Sequence, residues 1–209
     1  MTQYLVPTLA SETELTEKRS TFIGHVFPVE TEEEARGRID EIRKKYHDAR
    51  HNCWCYVLKD GSTRYSDDGE PQGTAGQPML SVFQKEGVVN VCCVVTRYFG
   101  GVLLGAGGLV RAYTQSAKDA LDAAGISVVR RWLELAVECP YSLLERVKLA
   151  CAAQGGAVGE IEYAAAVTVH ALLPEGGAEA FRAKLVELSA GSVEAVELGE
   201  VFRAVPLAE

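Results

Sequence analysis

Two arginines and five glycines make the first candidate for chemistry. Arg97 ends the apolar run Val91–Thr96; Gly100, Gly101, Gly105, Gly107 and Gly108 follow, and Arg111 lies about one turn into the segment after them. A glycine loop that opens a helix leaves first-turn N–H groups without partners, at the end of the helix that carries roughly half a positive charge. Cations beside such an end are unfavourable unless an anion sits among them, so the pattern points to a phosphate or carboxylate ligand. The alternative is structural. Arg97 and Arg111 would then pair with Asp67, Asp68 or Glu70, and the glycines would serve tight turns and close packing.

The second candidate is the loop Ser66–Gly76, SDDGEPQGTAG. Asp67, Asp68 and Glu70 fall within four positions, close enough to hold a divalent cation or share a proton, and Gly73, Thr74 and Gly76 complete the loop. The same residues are ordinary in a turn before a helix, and the twelve-position EF-hand pattern is absent. His51 is expected to line the site as a polar group. His47 and His51 with Cys53 and Cys55 make a poor zinc set, because the segment crosses from a helix to a strand. Nothing marks Cys53 with a depressed pKa. No complete catalytic set, metal site or cofactor is expected from these spacings.

The elements that must position these groups follow from periodicity. Val91–Thr96 is apolar or β-branched without alternation, as in a strand buried on both faces. Leu109, Val110, Tyr113, Ala117, Leu121 and Ala124 recur at helical spacing, and Gly125 supplies the stop. Upstream, residues 1–17 read as a loose lead-in and Thr21–Val29 as a strand. Thr31 caps a helix with Ala35, Ile39 and Ile42 inward. Asn52–Lys59 is a strand with Thr63–Ser66 pairing back across Asp60-Gly61. Pro78 fits the first turn of a helix that ends at Gly87. The chain breaks between domains near Gly125–Arg130, giving domains 1–129 and 130–209. In the second, Ser142 and Glu145 suggest a capping box. The element order there is β-α-β-β-α-β, that of a ferredoxin-like domain.

Composition narrows the function classes. The chain has 209 residues, 47% hydrophobic and 24% charged, with formal net charge −8. Residues 1–129 hold 14 Lys/Arg against 17 Asp/Glu, and residues 130–209 hold 7 against 12. Neither part is a basic module, so any nucleic-acid contact must use a local patch. No apolar run approaches the ~20 residues of a membrane span, and the first residues do not form a secretory signal. Of the six cysteines, Cys92 and Cys93 are adjacent and Cys53 and Cys55 alternate within strand patterns, which does not resemble a secreted disulfide framework. A cytoplasmic location is expected.

Four stretches together carry a resemblance. KRSTFIGH (Lys18–His25), HNCWCY (His51–Tyr56), SDDGEPQGTAGQP (Ser66–Pro78) and VVTRYFGGVLLGAGGLVRAY (Val94–Tyr113) resemble the YigZ/IMPACT family. The resemblance implies an α/β (α+β) chain. Its first domain is expected to have the fold shared by the second domain of a small-subunit ribosomal protein and by small-molecule kinases. Its second domain is expected to be ferredoxin-like, similar to a domain of elongation factor G. Eukaryotic members act in translational control through an additional N-terminal domain, for which this chain has no room. For this chain the expectation is a binding protein of the translation apparatus. It would contact RNA, the ribosome or a translation factor through the glycine loop, with a phosphate-bearing ligand and no membrane partner. The alternatives are an enzyme acting on a small phosphorylated substrate and a purely structural loop.

Overall fold

The computed structural model describes residues 3–207. Two compact units emerge, one of residues 3–128 with 204–207 and one of residues 129–203.

The first unit is built on β6 (Val91–Tyr98). It lies between β3 (Ser20–Pro28) and β4 (His51–Val57) in a five-stranded sheet of order β2-β3-β6-β4-β5, whose pairings are all antiparallel. β2 is Ser11–Glu17 and β5 is Thr63–Ser66. The absence of alternation in β6 has a direct cause. Val91, Cys93 and Val95 enter the core beneath α2 (Gly76–Glu86) and α3 (Ala106–Ala124), whereas Cys92 and Val94 enter a second core beneath α1 (Glu32–Lys45). Burial on both faces over Val91–Val95 leaves no solvent-facing position to create an alternation. The cysteine pair is split between the two cores, and all six cysteines are free and buried.

The caps follow the sequence. Thr31 Oγ1 accepts from Glu34 N–H at 3.1 Å, and Ala35, Ile39 and Ile42 are buried. Gly87 ends α2 in the left-handed region, and β5 pairs with β4 across the expected turn.

Residues 3–17 are not a loose lead-in. β1 (Gln3–Pro7) is held by Val89 N–H donating to Leu5 O at 2.9 Å, and β2 pairs with β3 from Ser11↔Val26 to Glu17↔Ser20. β2 is an edge strand with much of its surface in solvent. Its sequence, SETELTE, therefore lacks the apolar run that marks a central strand.

The second unit has the order β7 (Ile126–Cys139), α4 (Leu144–Ala153), β8 (Ala157–Tyr163), β9 (Val167–Pro174), α5 (Ala178–Ser189), β10 (Ala195–Pro206). β7 pairs with β9 and with β10, and β9 pairs with β8; the β7–β9 and β8–β9 pairings are antiparallel. Leu135, Val137, Val169, Ala171, Val147, Cys151, Phe181 and Leu185 form its core. β7 runs unbroken from Ile126, because Gly125 permits a turn (φ 68°) and the β-branched run after it continues directly as strand. The Ser142–Glu145 capping box does not form. Tyr141–Leu143 is a single 3-10 turn, and α4 begins after it without a side-chain cap.

Candidate functional site

β6 delivers Arg97 to the edge of the core, and residues 99–105 carry the chain from β6 into α3. Gly100 is fixed by contact. A Cβ there would lie 2.0 Å from the backbone C and O of Arg19, and its N–H donates to Ser20 Oγ at 3.2 Å. Gly101 (φ 82°) and Gly105 (φ 72°) sit in the left-handed region. Gly105 stands at the N-cap position, so α3 starts with no side-chain cap and no acidic residue in its first turn. Leu109 N–H makes the first helical bond back to Gly105 O at 3.0 Å. Gly105, Ala106 and Gly107 are exposed and Gly108 is half-buried. At Gly107 the space is open apart from Arg111 Nη1, 3.8 Å from a notional Cβ, while Gly108 packs against Leu104.

The acidic loop is a folded device. Asp67 Oδ1 accepts from Ala75 N–H at 3.1 Å and Gly76 N–H at 2.8 Å, and its Oδ2 accepts from Gly73 N–H at 2.8 Å. A carboxylate from outside the helix thus caps α2, where the dipole favours it. Asp68 accepts from Asn52 N–H at 2.7 Å and from Arg43 at 2.8 Å. Thr74 Oγ1 donates to Pro71 O at 2.6 Å. A Cβ at Gly76 would sit 2.8 Å from Ser66 O, so the loop closes backbone against backbone. All three carboxylates of the loop are engaged by protein donors. Glu70, 8% exposed, accepts from Arg97 Nη1 at 2.6 Å and from Tyr113 Oη–H at 2.9 Å.

The structure divides the two arginines. Arg97 is 6% exposed, forms the bridge to Glu70, and reaches Ser20 Oγ at 3.4 Å. Arg111 is exposed and has no ion pair among the described residues. Half of the structural alternative therefore describes this site: Arg97 pairs with the acidic loop and Arg111 does not.

His51 joins the group through an unusual backbone. Asp68 (φ 41°) and Gly69 (φ 85°) turn the chain so that Asp68 O meets His51 Nδ1 at 2.8 Å. A carbonyl only accepts, so Nδ1 carries the proton and Nε2 presents its lone pair. Nε2 lies 3.9 Å from Glu70 Oε1. Cys53, one turn of the pleat away, is buried with Sγ 3.0 Å from Asp67 O and 3.4 Å from Tyr113 Oη. Burial pushes its thiol pKa well up, which holds it neutral and removes it as a nucleophile. Burial likewise raises the Tyr113 phenol, so Tyr113 acts as a hydrogen-bond donor to Glu70.

These groups surround a cavity of about 380 Å³ lined by His51, Glu70 and Arg97 below, by Arg50, and by Phe99, Leu103, Gly105 and Ala106 at the start of α3. A smaller cavity of about 240 Å³ adjoins it across Leu104, lined by Lys18, Gly108 and Arg111. Lys18, Arg50 and Arg111 thus line the two cavities around one helix start, and none forms an ion pair among the described residues. This is a local basic patch on an acidic chain. Arg50, Lys18 and Arg19 were not among the expected site residues. Their signal lay at the edges of other motifs: Lys18 and Arg19 open KRSTFIGH, and Arg50 directly precedes HNCWCY. The two leucines inside GGVLLGAGG were a better one, as apolar residues in a glycine loop must either pack or line something.

Residues 18–121, which contain the whole cavity, match the Impact N-terminal domain, and residues 137–192 match a domain of unknown function, DUF1949. The chain is 37% identical over 190 residues to IMPACT family member YvyE of Bacillus subtilis, covering 90% of this chain and 88% of that protein. It is 35% identical to IMPACT family member YigZ of Escherichia coli, covering 88% and 92%. Protein IMPACT of Mus musculus matches over 105 residues at 33% identity, which is 48% of this chain and 33% of that one. A solved structure titled as a hypothetical protein superposes with TM-score 0.60 at 32% identity, covering 95% of this chain and 98% of that one. With both domains present and both bacterial relatives matched nearly end to end, the chain belongs to the YigZ/IMPACT family.

Proposed function

We propose that this chain is a binding protein of the translation apparatus that takes RNA, alone or on the ribosome, at the start of α3. One observation carries the reading: an uncapped helix N-terminus, open to solvent, with Lys18, Arg50 and Arg111 around it, none of them in an ion pair among the described residues. Helix dipole, free amides and lysine or arginine side chains are the elements that position a phosphodiester. The remaining surface is acidic, which repels RNA elsewhere and concentrates contact at this patch. The expected likeness of the two domains to a ribosomal protein and to a domain of elongation factor G supplies the cellular setting; the eukaryotic role, which runs through an additional N-terminal domain, does not transfer. The competing reading, an enzyme using Asp67, Asp68 or Glu70 on a small phosphorylated substrate, meets carboxylates already bonded to amides, Arg43, Arg97 and Tyr113.

Cosedimentation with ribosomes and titration of single-stranded RNA across salt test this. Lys18 and Arg111 are exposed, so the Lys18→Ala/Arg111→Ala chain will fold normally. It is expected to bind RNA about tenfold more weakly and to lose about 1.4 from the slope of log K against log salt, about 0.7 per phosphate contact on a single strand. Wild-type chain that associates with neither RNA nor ribosomes, or a double variant with unchanged affinity and slope, would refute the reading.

A further inference from the structure

The cavity at the start of α3 brings donors and an acceptor to one lining. The donors are Arg50 and the amides that open α3. The acceptor is His51. Its Nδ1–H is spent on Asp68 O at 2.8 Å, which fixes the tautomer and leaves Nε2 as a lone-pair acceptor with no hydrogen-bond partner among the described residues. Glu70 lies 3.9 Å from Nε2, and it already accepts from Arg97 at 2.6 Å and Tyr113 at 2.9 Å. Arg97 is more than nine-tenths buried beneath the cavity, and its Nε has no hydrogen-bond partner. The backbone that aims His51 uses a non-glycine residue in the left-handed region, Asp68, backed by Gly69, where a Cβ would lie 3.4 Å from His51 Nδ1. Strain of this kind is kept where surrounding structure holds a group in a set direction.

A ligand complementary to this cavity carries an anion for the α3 side and, a few ångströms away, a neutral hydroxyl to donate to His51 Nε2. The rim adds a third requirement. Phe99, 43% exposed, and Leu103, 83% exposed, offer an apolar surface at the mouth. A cavity of about 380 Å³ is also of small-molecule size. Phosphate, hydroxyl and a flat ring within one ligand of this size describe a ribonucleotide.

We propose that the cavity is a ribonucleotide subsite in which His51 Nε2 accepts a ribose hydroxyl while the phosphate sits at the start of α3 and the base lies against Phe99. This rests on the reading of the patch as an RNA site and makes it selective for ribose over deoxyribose. A site built to accept a hydroxyl discriminates against the ligand that lacks it, because its own polar group is then left unpaired. Selectivity of this origin is independent of salt, whereas the phosphate contacts are not.

The experiment compares rA6 with dA6 by fluorescence anisotropy, using the full chain and its His51→Asn variant, with AMP and dAMP as competitors. The Asn amide keeps a donor for Asp68 O and removes the acceptor at Nε2. Wild-type chain is expected to bind rA6 about five- to tenfold more tightly than dA6. His51→Asn is expected to bring the ratio of rA6 to dA6 affinity to about one. Equal binding of rA6 and dA6 overturns the inference and leaves the RNA reading standing. A ribose preference that survives in His51→Asn overturns it as well. No binding of any of the four ligands overturns both. A preference for AMP over dAMP, lost in His51→Asn, without binding of either hexamer keeps the ribose subsite and replaces RNA by a free nucleotide.

Discussion

Glu70→Ala will lower the stability of the chain by about 3–5 kcal/mol, the cost of leaving a buried charge without its partner. Glu70 and Arg97 are 8% and 6% exposed and meet at 2.6 Å, so removing the carboxylate leaves a buried guanidinium with a 3.4 Å contact to Ser20 Oγ and the faces of Phe22 and Phe99 in place of a charge partner. Tyr113 loses its acceptor in the same step. Urea unfolding followed by circular dichroism measures the change. The companion double substitution Glu70→Leu/Arg97→Met is expected to cost much less than the sum of the two singles, because it removes both desolvated charges together. A loss below about 1 kcal/mol in Glu70→Ala would show that the bridge is open to water and that the cavity floor is not the dry structure described above.

Asp67→Ala will have the next largest effect, about 2–4 kcal/mol. Three amides, of Gly73, Ala75 and Gly76, depend on its two oxygens, and hydrogen bonds to an ionised acceptor each contribute more than neutral ones. The capping of α2 is lost with them. Hydrogen exchange gives a local readout, with protection of the Gly73, Ala75 and Gly76 amides collapsing before that of β6. Unchanged protection at those three positions would contradict the assignment of Asp67 as the external cap.

These two cases mark where the sequence was legible. The strand-loop-helix around Arg97 could be read because burial on both faces of β6 leaves a compositional trace, and because Gly105 and Gly125 bracket a helix with a regular apolar stripe. β2 was misread since an edge strand carries no such trace. The Ser142–Glu145 box was misread because a 3-10 turn occupies Tyr141–Leu143 and delays the helix. Spacing placed Asp67, Asp68 and Glu70 in one loop but could not assign their partners. Asp67 turns back to amides six to nine residues on, Asp68 reaches α1 and β4, and Glu70 points to Arg97 and Tyr113. Those directions are set by the left-handed turn at Asp68-Gly69, which local composition does not encode. The division between a buried Arg97 and an unpaired Arg111 has the same origin. One residue lies on a central strand and the other on the solvent side of a helix, although both flank the same glycines.

The most direct measurement is the amide spectrum of the ¹⁵N-labelled chain during titration with rA6. The largest shifts are expected at Ala106, Gly107 and Gly108, with smaller ones at His51 and Phe99, and all of them should weaken in Lys18→Ala/Arg111→Ala. Saturable binding with shifts confined to other residues, while the 106–108 amides stay still, would contradict the claim that the open start of α3 is where this protein holds its ligand.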